Sequence, residues 1–230
     1  MFRKEQTIQN MLQDIEREVE LTRNLIGKKA LDERVMEAME KVPRQEFVPA
    51  VAQAYAFANG PVSIGHGQTV SQPYIVALMT DLLNPQPDDV ILEIGSGSGY
   101  QAAVLACLVR QVYSIEVIQE LADQASDRLQ RLGYTNVEIK QGDGYYGWQE
   151  HAPFDGIIVT AAAPHIPEPL IEQLKVGAKL VIPVGQPYMH QELMLVEKKE
   201  HNEISTRYVL GVAFVPLVGD HKGGSSLADS

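Results

Sequence analysis

VILEIGSGSGYQAAVLACLV, residues 90–109, passes from an apolar run through three glycines into a helical pattern. Five residues without strict alternation read as a strand buried on both faces, the kind found in parallel sheets covered by helices. The same alternation continues outward through VYSIEV (112–117), LADQASDRLQRL (121–132), VEIKQGDG (137–144), FDGIIVTAAA (154–163), PLIEQL (169–174) and KLVIPVG (179–185). Two last runs, ELMLVEK (192–198) and RYVLGVAFVPL (207–217), are joined by a polar link too short for a parallel crossover. The expected fold is α/β: a doubly wound, mostly parallel seven-stranded sheet, with an antiparallel C-terminal hairpin and N-terminal helices.

Upstream, Ile8, Met11, Leu12, Ile15, Val19 and then Leu25 or Ile26 recur every three or four residues, the stripe of an amphipathic helix. A second helix is expected from the N-cap Asp32, with Val35, Met36 and Met39 inward, ending before Pro43. GPVSIGHGQTVSQ, residues 60–72, is glycine-punctuated and aperiodic and reads as a long ordered loop of functional kind. YIVALMTDLL then forms a helix ended by Asn84-Pro85. Residues 1–218 are expected to be one domain, in which 1–59 are a helical addition and 60–72 a substrate loop. The glycine- and serine-rich end, 219–230, is expected to fray.

The 230 residues carry 19 Lys+Arg against 30 Asp+Glu, a formal charge of −11. So acidic a chain lacks the basic footprint of a nucleic-acid binder, and no stretch approaches a membrane span. One cysteine, Cys107, forms neither an internal disulfide nor a cysteine zinc cluster and suits a reducing compartment. The start MFRKEQTIQN has no apolar signal segment, so the expected location is cytoplasmic, as a monomer or small homo-oligomer. The six histidines show no HxxxH or other metal spacing, and no metal is expected.

Glycines 95, 97 and 99 let a backbone turn sharply against a ligand. A dinucleotide fingerprint counted from Gly95 needs a small residue at position 100, and the chain has Tyr100. An acid followed by GxGxG is instead the pattern of S-adenosylmethionine-dependent methyltransferases, which makes Glu93, Gly95, Ser96, Gly97 and Gly99 candidate cofactor contacts. Glu116 ends the next strand, where a carboxylate accepts from ribose hydroxyls or stands as an ordinary solvated acid. Asp143-Gly144 ends the third, where Asp143 accepts from an adenine amino group or forms a simple Asp-Gly turn. All three fall at the carboxyl edge of the sheet, where such folds bind ligands.

IGHGQTVSQPYIVALMTDLL (64–83), LEIGSGSGYQAAVLA (92–106), VYSIEVIQELA (112–122), GDGYYGW (142–148), the long segment 154–185 with its TAAAP, and FVPLV (214–218) together resemble the protein-L-isoaspartate O-methyltransferases. The resemblance runs from about Pro43 to Val218. It implies methyl transfer from S-adenosylmethionine to the α-carboxylate of L-isoaspartyl residues in aged proteins and peptides, whose ester then closes to a succinimide. By matching position, Ser71 falls on the active-site serine, and Glu116 and Asp143-Gly144 on cofactor contacts. Gln68 and Thr69 belong to the same loop and are candidate substrate contacts beside Ser71. Asn59, in FANGP, stands where the family usually carries an acid.

The chemistry agrees. A carboxylate with an ordinary pKa near ~4 is already ionised at neutral pH, so its methylation needs no general base. Positioning and desolvation then supply the rate. Ser71, at the start of a helix, has a hydroxyl that orients such a nucleophile without protonating it; the same serine also reads as a helix cap ahead of Pro73. The Tyr145-Tyr146-Gly147-Trp148 run is expected to be packing surface. Methylation of a small molecule or of RNA is the alternative reaction, although TAAAP replaces the NPPY-like segment of many nucleobase enzymes.

Overall fold

In a computed structural model that describes residues 7–187 and 189–220, the chain opens on helix α1, Ile8–Ile26. Thr7 accepts the Asn10 amide at its start, and Gly27 ends it at φ 73° in the left-handed conformation. Met11, Ile15, Val19 and Ile26 form the buried stripe, while Leu25 is exposed. Helix α2, Glu33–Lys41, starts on the expected cap Asp32 and buries Val35, Ala38 and Met39; Met36 is only partly buried at the edge of the core.

The segment expected to be a loop is partly regular. Strands β1, Val62–Gly65, and β2, Gln68–Val70, pair antiparallel across His66-Gly67, whose φ angles of 51° and 69° fit a tight hairpin turn. Strands this short show no alternation in sequence, so only the glycines were visible there. Helix α3, Pro73–Leu83, follows and is buried on nearly every side. Its Asp81, buried in that helix, ion-pairs with Lys28 and accepts the Asp32 amide at 2.7 Å, tying the α1–α2 junction to α3.

The main sheet then forms from β3 (Val90–Ile94), β4 (Gln111–Glu116), β5 (Val137–Gln141), β6 (Phe154–Val159), β7 (Leu174–Gly185), β8 (Gln191–Lys198) and β9 (Ile204–Val212). Its order is β5-β4-β3-β6-β7-β8-β9, parallel from β5 to β7 and antiparallel through β8 and β9. Helices α4 (Tyr100–Ala106), α5 (Gln119–Arg131) and α6 (Glu168–Glu172) connect the parallel strands. Successive strand residues serve opposite cores: Ile91, Ile158 and Val181 join α1–α4, whereas Leu92, Ile157 and Leu180 pack with α6. That two-sided burial is why the strands read as continuous apolar runs.

The last expected strand is shorter than its apolar run. β9 ends at Val212, and residues 213–218 leave it to cross the end of the sheet, bridging at Pro216 to Ala162. The buried Gln191 side chain holds the departing segment: its Nε2 donates to Phe214 O at 3.0 Å and its Oε1 accepts from the Phe214 amide at 2.6 Å. Of the tail expected to fray, residues 221–230 lie outside the described residues.

Candidate functional site

From β3 the chain winds outward through β4 and β5, then returns to β6 on β3's other side. The crevice at the carboxyl end of β3 is therefore the switch point at which an open α/β sheet takes a ligand. A narrow cavity lies there, walled by residues 95–98, Glu116, Gly144 and Thr160 and bounded above by Gln68, Thr69, Ser71 and residues 215–218. A wider cleft adjoins it, lined by Pro61, Gln72, Ile75, His190 and residues 211–215, and Thr69, Ser71, Thr160 and Val215 border both.

The loop under the cavity is set by backbone. Gly95 donates to Ile115 O at 2.8 Å, and Thr160 donates its amide to Ile94 O at 2.9 Å and its hydroxyl to Gly95 O at 2.6 Å. At φ 94°, a Cβ on Gly95 would stand 2.5 Å from that hydroxyl oxygen, so no other residue fits. Glu116 is buried and aims into the loop: Oε2 accepts the Gly97 amide at 2.8 Å and Oε1 the Ile118 amide at 3.1 Å. Each carboxylate oxygen keeps one further acceptor position for a ligand hydroxyl.

Glu93 and Asp143 depart from the expectation of direct contact. Glu93 is wholly buried beneath the loop and does not border the cavity. Ser114 Oγ donates to its Oε2 and pairs with Ser96 Oγ at 2.6 Å, so the acid reaches the cavity wall only through two hydroxyls. Burial, reinforced by the charge of Glu116, pushes the Glu93 carboxyl up to about 8, against the pull of the Ser114 hydrogen bond. Asp143 spends Oδ1 on the Tyr145 amide at 3.0 Å, the turn read as its alternative, and Gly219 lies so close that a Cβ there would meet the carboxylate at 2.2 Å. Gly144 does border the cavity, packed so tightly that a Cβ would stand 2.3 Å from Ile94 Cγ2.

Facing the loop across the cavity, Ser71 precedes the cap position of α3, which Gln72 occupies without a side-chain cap bond. The Ser71 hydroxyl is thus not spent on helix capping and has no hydrogen-bond partner among the described residues. Asn59 Nδ2 donates to Glu18 Oε1 at 2.9 Å, and Gln72 Nε2 donates to Asn59 Oδ1 at 3.0 Å. At the position of the missing acid, an amide therefore relays a carboxylate from α1 toward the residue beside Ser71. Gln68 borders the cavity, and its Nε2 donates to His66 O at 3.3 Å; His66 itself is exposed.

Thr160, Gln191, Arg44 and the crossing segment 215–218 were missed in the sequence, although TAAAP begins at Thr160 and FVPLV spans the segment. Of the aromatic run, Trp148 is buried against Tyr113, with ring centroids 5.3 Å apart, and Tyr146 is exposed. Among the described residues no cluster of histidine, cysteine, aspartate or glutamate is arranged to hold a metal ion, and no helix is long and apolar enough to cross a membrane.

Comparison with known proteins adds to this geometry. The profile of the family described as protein-L-isoaspartate(D-aspartate) O-methyltransferase matches residues 15–222. The chain is 63% identical over 212 residues to protein-L-isoaspartate O-methyltransferase 2 of Nitrosococcus oceani, covering 92% of this chain and 96% of that one. It is 61% identical over 211 residues to the protein of the same name from Syntrophobacter fumaroxidans, covering 92% and 85%. A crystal structure of a putative protein-L-isoaspartate O-methyltransferase from Plasmodium falciparum, in complex with S-adenosyl-L-homocysteine, superposes with a TM-score of 0.74 at 25% identity over 94% of this chain and 99% of that one.

Proposed function

The chain belongs to the protein-L-isoaspartate(D-aspartate) O-methyltransferase family, and we propose that its narrow cavity and adjoining cleft are the donor and acceptor sides of that reaction. It is an enzyme that methylates the α-carboxyl of L-isoaspartyl residues in proteins and peptides, with S-adenosylmethionine as cosubstrate. When bound, S-adenosylmethionine supplies an electrophilic methyl on a sulfonium centre. The observation that carries the assignment is the shared wall: a group in the cavity and a carboxylate in the cleft meet where Thr69, Ser71 and Thr160 border both spaces.

Each residue then has a task. Glu116, already held by two amides, accepts from the ribose hydroxyls with its remaining acceptor positions. Gly95, Gly97 and Gly99 let the loop close on the amino-acid end of the donor, and Ser96, tied to Ser114, keeps the loop's register; Gly144 leaves room for the base. Glu93, largely protonated at neutral pH, supports the loop from below without adding a second negative charge beside Glu116. The Ser71 hydroxyl, free of capping duty, donates to one oxygen of the acceptor carboxylate and aims the other at the methyl group. Gln68 and Thr69 hold the rim of the same wall. Since the acceptor is ionised before it enters, no base is required. Once esterified, the carboxyl carries methoxide as a leaving group, and attack by the following backbone nitrogen closes the succinimide.

Residues 1–218 act as one unit in this reading, a monomer or small homo-oligomer. The single cysteine supports a cytoplasmic setting, and the charge of −11 speaks against nucleic acid or an anionic membrane as partner. Two synthetic peptides that differ only in one L-isoaspartyl or L-aspartyl residue test the function. Labelled methyl is expected on the isoaspartyl peptide alone; labelling of neither, with cofactor bound, would shift the acceptor to a small molecule or RNA.

A further inference from the structure

Arg44 is the largest of the wholly buried side chains, and it has no ion-pair partner among the described residues. It leaves the short turn Arg44–Phe47 and enters the interior between three segments distant in sequence. Its Nε donates to Ala56 O at 2.8 Å, and its Nη2 donates to Ser71 O at 2.7 Å. Its guanidinium carbon lies 4.6 Å from the centroid of the Tyr100 ring, on the first residue of the helix that follows the glycine loop. Nη1 is buried with no hydrogen-bond partner.

Packing alone does not account for such a group. A buried cation costs several kcal/mol of desolvation, and a well-packed apolar side chain of similar volume commonly stabilises a core as well or better. Burial here holds the guanidinium below its ordinary pKa range, and Tyr100 offsets that only in part. What the guanidinium supplies, and an apolar chain does not, is a planar fork that grips two carbonyls while stacking on an aromatic face. One of those carbonyls belongs to Ser71, and Tyr100 borders the donor cavity.

We propose that Arg44 is the positioning residue of the acceptor side, fixing the Ser71 backbone against Tyr100 so that the serine hydroxyl and the donor cavity keep one spacing. The proposal rests on the reading of Ser71 given above as the residue that orients the acceptor carboxylate. Arg44 touches neither reactant. Its effect on the rate passes through Ser71, and that route distinguishes it from a residue that only supports the fold.

A double-mutant cycle reads this difference. Arg44→Lys and Arg44→Met are measured in the unaltered background and with Ser71→Ala, using the isoaspartyl peptide as acceptor and calorimetric binding of S-adenosylhomocysteine to certify the folded donor site. In the unaltered background each Arg44 change is expected to lower kcat about 10- to 100-fold, the cost of a misplaced contact. With Ser71→Ala the further loss should fall below about twofold, because the hydroxyl being positioned is gone. Equal losses in both backgrounds would assign Arg44 a structural role and overturn the proposal. Should both Arg44 variants fail to bind S-adenosylhomocysteine, the Arg44 Nε–H resonance of otherwise unaltered protein decides. It should move on adding isoaspartyl peptide and stay still in Ser71→Ala; movement in both, or in neither, overturns the proposal. Absence of methylation by the unaltered protein would remove the functional reading and this proposal with it, whereas activity with additive losses removes this proposal alone.

Discussion

The loop at the end of β3 and the wall that faces it border the same cavity, yet different bonds hold them. The loop continues a buried strand, and its course is set by amide-to-carbonyl bonds to β4 and β6, with Glu116 accepting two more amides. The wall is assembled from residues near 44, 59, 69–72, 160, 191 and 215; backbone bonds pair residue 162 with residues 215 and 217, whereas the side chains of Arg44, Asn59, Gln72 and Gln191 tie the remaining segments together. A backbone ladder fixes position as a consequence of folding, and one substitution seldom undoes it. Side-chain clamps fix position one residue at a time, so the acceptor side should lose rate before the protein loses stability.

The largest expected effect is the exception that tests the loop. Gly95→Ala places a Cβ 2.5 Å from Thr160 Oγ1 at a φ of 94°. Backbone strain and overlap together should weaken S-adenosylhomocysteine binding more than about 100-fold by calorimetry. Binding within a few-fold of the unaltered protein would show that the loop yields and would break the contrast. Ser71→Ala sharpens the other half: kcat should fall about 10- to 100-fold, the worth of a hydrogen bond to a charged group, while cofactor affinity stays within about twofold. Glu116→Gln should do the reverse, raising the dissociation constant about 10- to 100-fold by the same reasoning, with the smaller effect on turnover at saturating cofactor.

What the sequence disclosed follows the same division. The sheet, the glycine turn and Glu116 are legible because each lies within a few residues of the element that explains it. Arg44 is silent in sequence, since the carbonyls it grips are 12 and 27 residues away and nothing local marks an arginine for burial. The β1–β2 hairpin hides because its strands have four and three residues. Asp143 sits in a strand-end acid pattern shared with Glu116, but its Oδ1 also accepts a turn amide, which the sequence shows equally as an Asp-Gly turn. Glu93 was placed correctly in the chain and wrongly in depth, because alternation along β3 turns it to the face packed by α1–α4 while the cavity lies at the strand's end.

The smallest expected effect concerns that buried acid. The folded protein keeps a proton on Glu93 up to about pH 8, whereas the unfolded chain releases it near the ordinary value of 4.5. Folding stability contributed by this group therefore falls as pH rises through that window, with a slope of at most ~1.4 kcal/mol per pH unit. Urea midpoints of Glu93→Gln should lose that slope relative to the unaltered protein; identical pH profiles would mean that the carboxyl is ionised in the folded state and the loop carries its charge.

The small overlap between cavity and cleft also bears on how such an enzyme changes over evolutionary time. Among the described residues, only Thr69, Ser71, Thr160 and Val215 belong to both. Selection for a new acceptor is free to act on residues 61 and 72, and on 190 and 211–214, without disturbing the recognition of the donor, so a lineage can diversify what it methylates while inheriting unchanged the means of methylating it.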